Sequence, residues 1–445
     1  TTYFRFFSMR MISKIARSYI DLPHNVLLLF VVELCLSLVH VAFILILNIY
    51  LRSEGYSDPE IASFNSLRFI GALAFSLPLG IYIKGKRLKP FFNISTILVP
   101  FISMLLIESI RLRLVPFIQL SFLFWGIAMM FLRVCSLPFI IRNTTSQNSS
   151  QALSLNAATW SLATIISGII ISGLNWVSFI NFFHVNIIFN ERVILWIISL
   201  VSLVAIPVGF SIKEQSKNKK FELNKNSFSL NNSYDWDLIF KAISPLVLIS
   251  IGAGLTIPFV NLFFNSIFNF SSSDFSIMGS GTAVLVFFSS LMVPTLKQKY
   301  GYWMTIVFVQ GLSICCLITL AITELFSTSH YAIYFAVSAF ILRQPLMHMA
   351  HPSSNELMMN YVGERNQELI SALSSSLWSA SWFISAKIFE WLRLLNFHYY
   401  EIFLITAVLY IIGVIMYAVI INQFEKMKKI EEDNVMTLSE ELKID

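Results

Sequence analysis

Charge is scarce in this sequence: 13% of its 445 residues are Asp, Glu, Lys or Arg, whereas 56% are hydrophobic. A soluble domain carries about 25% charged residues, so an ordinary water-soluble globule is excluded, and so is a disordered chain. The net charge of +6 comes from 31 Lys+Arg against 25 Asp+Glu and gathers into no single basic stripe, which excludes a nucleic-acid-binding surface. Cysteine is nearly absent. Cys35, Cys135, Cys315 and Cys316 all lie in apolar runs, at spacings that match neither a zinc site nor a disulfide framework. Residues 1–24 hold Arg5, Arg10, Lys14 and Arg17 but no small-residue cleavage site after the first apolar run. No cleavable signal peptide is therefore expected, and Met9 and Met11 are candidate starts. Walker, GxSxG and HExxH patterns are missing too. Neither an enzyme nor a cofactor or metal site is expected, and an ATP-driven pump is disfavoured.

What the sequence has in quantity is long apolar runs, rich in Phe (41 residues). A membrane-spanning helix needs about 20 apolar residues. Charges and Gly/Pro/Asn clusters cut the runs into twelve expected spans near 25–51, 59–83, 91–110, 114–141, 151–175, 192–212, 238–265, 273–296, 302–324, 330–361, 366–392 and 400–422. The stretch 176–191 is apolar but interrupted by Asn and His, and reads as a long loop or a helix extension. With the N-terminus placed inside, twenty-two of the lysines and arginines fall on the inner side and five on the outer. Both termini are therefore expected in the cytoplasm. The Lys/Asn/Ser-rich segment 213–237 reads as a cytoplasmic linker. The expected organisation is an arm over 1–24, a six-helix bundle over 25–212, the linker, a second six-helix bundle over 238–422 and a cytoplasmic tail over 423–445. The fold class is all-α, as two pseudo-symmetric bundles.

The two halves echo one another. Asn48 and Asn261 sit in similar surroundings, as do Arg133 and Arg343, Pro138 and Pro352, and Trp160 and Trp378, in the same order and at a slowly drifting offset. Such a parallel repeat is a transporter architecture. Six plus six helices, a basic loop between helices 2 and 3, and a polar central loop together resemble the major facilitator superfamily over about 24–422. The family carries a Gly-x-x-x-Asp-Arg-x-Gly-Arg-Arg type motif after helix 2. PLGIYIKGKRLKP (78–90) keeps Gly80 and the basic Lys86, Arg87 and Lys89, with Lys84 where the family has Asp. The resemblance implies that Gly80, Lys84 and Arg87 belong to a cytoplasmic gate, with Glu356 near the inner end of helix 10 as a further gate residue. It also implies that helices 1, 4, 7 and 10 line a central cavity.

An ionisable side chain inside a bilayer costs about 3 kcal/mol or more at the centre, so each is a functional candidate. Glu33 and His40 share one face of helix 1 with Ser37, at i, i+7 and i+4. They are the expected proton-coupling residues, with a Glu33–Arg133 pair expected across the cavity; the bland alternative is a structural ion pair. Arg68, Arg133 and Arg343 against Glu33 alone leave positive charge uncompensated at depth. Arginine makes forked bonds to carboxylates, phosphates and sulfonates, so an anionic or zwitterionic solute is expected. Asn261 and Gln344 are expected to add hydrogen bonds to it. Pro258, Pro345 and Pro352 are expected to break or bend helices 7 and 10. Trp378 and Trp382 read as packing.

The expected protein is thus a proton-coupled secondary transporter of a small organic solute in a bacterial inner membrane. It is a monomer whose partners are the solute, protons and membrane lipids, with no nucleic acid. Two rivals stand beside this reading: a proton-coupled exporter of lipophilic cations, favoured by Glu33 and the apolar cavity, and a non-transporting scaffold or receptor on the same fold.

Overall fold

The computed structural model describes residues 22–83, 86–144, 149–178, 189–213, 235–363 and 367–441. Among them the chain is helical throughout, without strands. In chain order the helices are α1 (His24–Ser53), α2 (Asp58–Tyr82), α3 (Lys89–Arg111), α4 (Val115–Asn143), α5 (Ser149–Ser178) and α6 (Glu191–Ser211). They continue as α7 (Trp236–Phe268), α8 (Ser272–Tyr302), α9 (303–322), α10 (Ala332–Val362), α11 (Gln367–Leu394) and α12 (Tyr399–Glu441). Eight of these are long and apolar enough to cross a membrane. The other four, α2, α8, α10 and α11, are of similar length.

Local chemistry sets the boundaries. Asn190 caps α6 by accepting from Val193 N at 3.0 Å, and Asp235 caps α7 by accepting from Leu238 N at 3.1 Å. Proline stands in the first turn of α3 and of α4, where its missing N–H costs nothing. Gly301, at φ +70°, makes the break between α8 and α9, a conformation that a side chain would strain. α7 breaks at 257–259, at the expected Pro258, into Trp236–Thr256 and Val260–Phe268. α10 instead keeps Pro345 and Pro352 inside one continuous helix. α12 runs on to Glu441, well past the expected end near 422, because the charged stretch after it is rich in Glu and Lys, good helix formers. The arm 1–21, Lys84, residues 179–188, the linker over 214–234 and the last four residues lie outside the described residues.

The chain forms two compact units. The first takes the described residues of 1–228 together with Asn261–Val284; the second takes those of 229–260 with Leu285 onwards. In the first half α1 packs on α5 and α6, and α3 on α4 and α6; in the second half α7 packs on α11 and α12, and α9 on α10 and α12. Each pairing recurs six helices later, which is the duplication the sequence predicts. In the first unit α2 and α4 cross so closely that a Cβ on Gly126 would lie 2.2 Å from Arg68 O, and one on Gly71 2.5 Å from Leu123 O. That contact brings the Arg68 backbone against α4.

Candidate functional site in the first unit

Two layers of polar side chains lie between α1, α2, α4 and α5. The inner one centres on Glu33, which is 6% exposed. Its carboxylate accepts from Ser136 Oγ on α4 and from Asn156 Nδ2 on α5, at 2.8 Å to Oε2 and 3.0 Å to Oε1. Asn156 also reaches Ser136 Oγ, at 3.2 Å. All of these partners are neutral. A serine hydroxyl donates or accepts as required, so the same frame holds Glu33 with or without its proton. The expected Glu33–Arg133 pair is not formed: Glu33 keeps neutral partners, and Arg133 turns to His40.

The outer layer lies two helical turns further along α1, about 10 Å by the helical rise. The His40 ring stacks on Trp125 (centroids 5.1 Å apart, 15° between planes) and meets Trp160 edge-on at 5.0 Å. Its Nε2 lies 3.2 Å from Arg133 Nη2. A guanidinium only donates, so Nε2 accepts and the imidazole proton sits on Nδ1, a buried atom without a hydrogen-bond partner. Arg133 also lies over Trp160, 6.0 Å from the ring centre. On the other side Arg68 lies 5.7 Å from the Trp125 ring and 4.8 Å from Phe69. Trp125 is fixed by its Nε1–H to Ser103 Oγ, 3.0 Å. The result is a row of guanidinium, indole, imidazole, indole and guanidinium. Arg68 is 5% exposed and its Nε is unpartnered, whereas Arg133 is exposed. Among the described residues neither arginine forms an ion pair.

α4 and α5 tie the layers together. Ser136 and Arg133 are one turn apart on α4, and Asn156 and Trp160 one turn apart on α5. Beyond His40, α1 widens into a π turn over Phe43–Leu47. Asn261 Nδ2 donates to Ile44 O and Leu45 O, both at 3.2 Å, and its Oδ1 accepts from Asn48 Nδ2 at 3.4 Å, with Asn65 behind at 3.0 Å. The expected solute contact Asn261 is thus engaged with α1. At the end of α1, Arg52 pairs with Asp58 and donates to Leu262 O at 3.0 Å and Asn265 Oδ1 at 3.2 Å. A π turn beside a polar cluster is a frequent feature of functional sites.

The remaining expected residues are dispersed. In the second unit Arg343 is 1% exposed and donates to Tyr410 OH at 3.2 Å, with Ser313 on its carbonyl. Gln344 is half-buried, while His348 and His351 stand on the exposed side of α10. His351 meets Asn355 at 3.3 Å and Trp378 edge-on at 5.8 Å. Trp378 and Trp382 pack on each other, 5.9 Å between centroids. Of the gate residues, Gly80 lies in the last turn of α2, Arg87 is exposed, and Glu356 pairs with Lys297, which lies over the Tyr302 ring. Ser136, Asn156 and Trp125 are the site residues that sequence reasoning missed. The signal available was their spacing from Arg133 and Trp160.

The sequence model of the Major Facilitator Superfamily matches residues 27–386. No curated relative matches in sequence. Among solved structures the chain is similar to a bacterial homologue of the human lysosomal transporter Spinster in an inward-facing, occupied conformation. The TM-score is 0.67 at 12% identity, over 92% of this chain and 98% of that one. A D-xylose–proton symporter gives 0.67 at 13% identity, over 88% and 96%. The nucleoside transporter NupG gives 0.65 at 14% identity, over 90% and 99%. At these identities the likeness is one of fold. With a family match over most of its length and a duplicated helix pairing that agrees with it, the chain belongs to the Major Facilitator Superfamily, and its fold is that of a membrane transporter.

Proposed function

We propose that the protein is a secondary active transporter that carries a small organic anion together with a proton, by alternating access. The observation behind this reading is the pair Arg68 and Arg133. Both sit at membrane depth, without a carboxylate partner among the described residues, beside a carboxyl that keeps its own neutral frame. A bilayer makes such uncompensated charge expensive, and an anion removes the expense. The Arg133 guanidinium is the contact atom group, because it is exposed. Arg68, buried behind Trp125, adds positive potential, and Arg343 and Gln344 are the corresponding candidates of the second unit.

Glu33 takes the proton. With Glu33 charged, the cluster of Glu33, Arg68 and Arg133 carries one net positive charge. The same cluster with one proton and one monovalent anion added carries that charge again. A proton alone leaves two positive charges and no negative one, so proton leak is disfavoured until an anion is bound. His40 keeps Arg133 and Trp160 in place, and takes a proton on Nε2 only by giving up the bond from Arg133. The Arg52 bonds to the second segment of α7 join the two sequence halves and are contacts that alternation would remake. Both termini in the cytoplasm accord with the lysine and arginine distribution, and a bacterial inner membrane with the compact loops.

Melting of the purified protein in detergent tests the charge of the solute. A ligand that binds only the folded state adds about 2.7 kcal/mol at a hundred times its dissociation constant. Benzoate, acetate, methyl phosphate and methanesulfonate form one panel, tetraphenylphosphonium and ethidium the other. The expected result is an upward shift with at least one anion and none with the cations. Stabilisation by the cations alone contradicts the reading and returns Glu33 to a cation exporter.

A further inference from the structure

The row of rings and guanidiniums has one open end. Arg68, Trp125 and His40 are buried; Arg133 and Trp160 are exposed, the indole at 37%. Arg133 lies in the span Val115–Ile140, and a guanidinium at that depth does not face hydrocarbon. The side on which it opens is therefore aqueous. Trp160 shares it. One turn before Trp160, Asn156 reaches Glu33; two turns after it, Ser167 donates to Leu38 O at 3.1 Å. This face of α5 is turned to α1, while Leu162 and Ile169, both exposed, lie on its other faces. A guanidinium and a partly exposed indole thus border that side together, with the guanidinium carbon 6.0 Å from the indole centre.

We propose that the solute is an aromatic organic anion, its ring laid on Trp160 and its acid group held by Arg133. The proposal rests on the anion reading of this site and narrows it. A bare inorganic or short-chain anion answers Arg133 but leaves the indole wet. A ring without an acid group covers the indole but leaves the charge uncompensated. An acid group on the ring, or one carbon from it, answers both at once. His40 fixes the arrangement from behind: its Nε2 accepts from Arg133 and its ring braces Trp160, so guanidinium and indole are set before the solute arrives. Aromatic pairs add to binding beyond the area they cover, here by about three- to ten-fold in the dissociation constant. Trp160 is on this account the residue that selects a flat ring over a puckered one.

Isothermal titration of the full-length protein in detergent separates this proposal from the reading beneath it. The probes are benzoate, cyclohexanecarboxylate and benzyl alcohol, and the variants are Trp160→Phe and Trp160→Leu. The expected result is binding of both acids, with benzoate tighter by about three- to ten-fold in the wild type and in Trp160→Phe. In Trp160→Leu the two acids bind alike, and benzyl alcohol binds to none of the three proteins. Equal affinity for the two acids in the wild type overturns the aromatic proposal and leaves the anion reading standing. Failure of both acids to bind overturns the two together. Should Trp160→Leu not fold, the wild-type ratio and its retention in Trp160→Phe decide the matter.

Discussion

Replacing Glu33 by Gln is expected to abolish the protein-dependent part of the initial rate of benzoate uptake driven by a pH gradient in proteoliposomes, while protein-dependent benzoate counterflow without a gradient stays within about two- to three-fold of wild type. Glutamine keeps the shape and one acceptor oxygen, so Ser136 and Asn156 retain their places and the fold survives. What is lost is the proton. Without it the carrier still reorients with anion bound, so exchange continues, but nothing couples that movement to the pH difference. An ion-paired Glu33 would behave otherwise: its neutralisation would free a buried guanidinium and destabilise the protein by several kcal/mol. The neutral frame around Glu33 is the reason to expect a loss of coupling and not of stability. A protein-dependent initial rate that persists at wild-type level in Glu33→Gln would remove Glu33 from the proton path.

Arg133→Gln is expected to weaken benzoate binding roughly 10- to 100-fold, the effect of losing a charged hydrogen-bond donor of about 1.5–3 kcal/mol. Titration of the variant with benzoate checks it. Arg133→Lys is expected to recover only part of the affinity, because an ammonium lacks the forked geometry and the flat face that lies over Trp160. Arg68 offers a contrast on the same row. It is buried behind Trp125, so Arg68→Gln changes the potential at the site without removing a contact, and its effect is expected to be smaller. A larger loss from Arg68→Gln than from Arg133→Gln would mean that the anion sits on the other end of the row.

Much of this architecture is legible in the sequence. Hydropathy and lysine/arginine placement mark all twelve helices, including α2, α8, α10 and α11. The internal repeat is legible from pairs such as Trp160 and Trp378, and the recurring helix pairings agree with it. The site is less so. Depth can be counted along a helix, but which neighbour a side chain faces depends on helix rotation, which counting does not give. Counting puts Glu33 and Arg133 at similar depth, yet Arg133 lies one layer further along, beside His40, and the two look to different partners. Ser136 and Asn156 carry no charge, so nothing in a hydropathy argument singles them out. Arg133 and Arg343 are repeat mates in sequence, but one is exposed and the other is buried against Tyr410. The π turn at Phe43–Leu47 follows from a run of apolar residues with no local mark at all.

The most direct test of the account is uptake of labelled benzoate by wild-type protein in liposomes, with an imposed pH gradient (outside acidic) and the membrane potential clamped at zero. The account predicts an initial rate of uptake above that of protein-free liposomes, with the same final level, because one proton carried with one monovalent anion at zero potential reaches the distribution that the free acid reaches alone. It also predicts that the interior acidifies in proportion to the protein-dependent part of the uptake. An initial rate no greater than in protein-free liposomes, or protein-dependent uptake without proton movement, would contradict it.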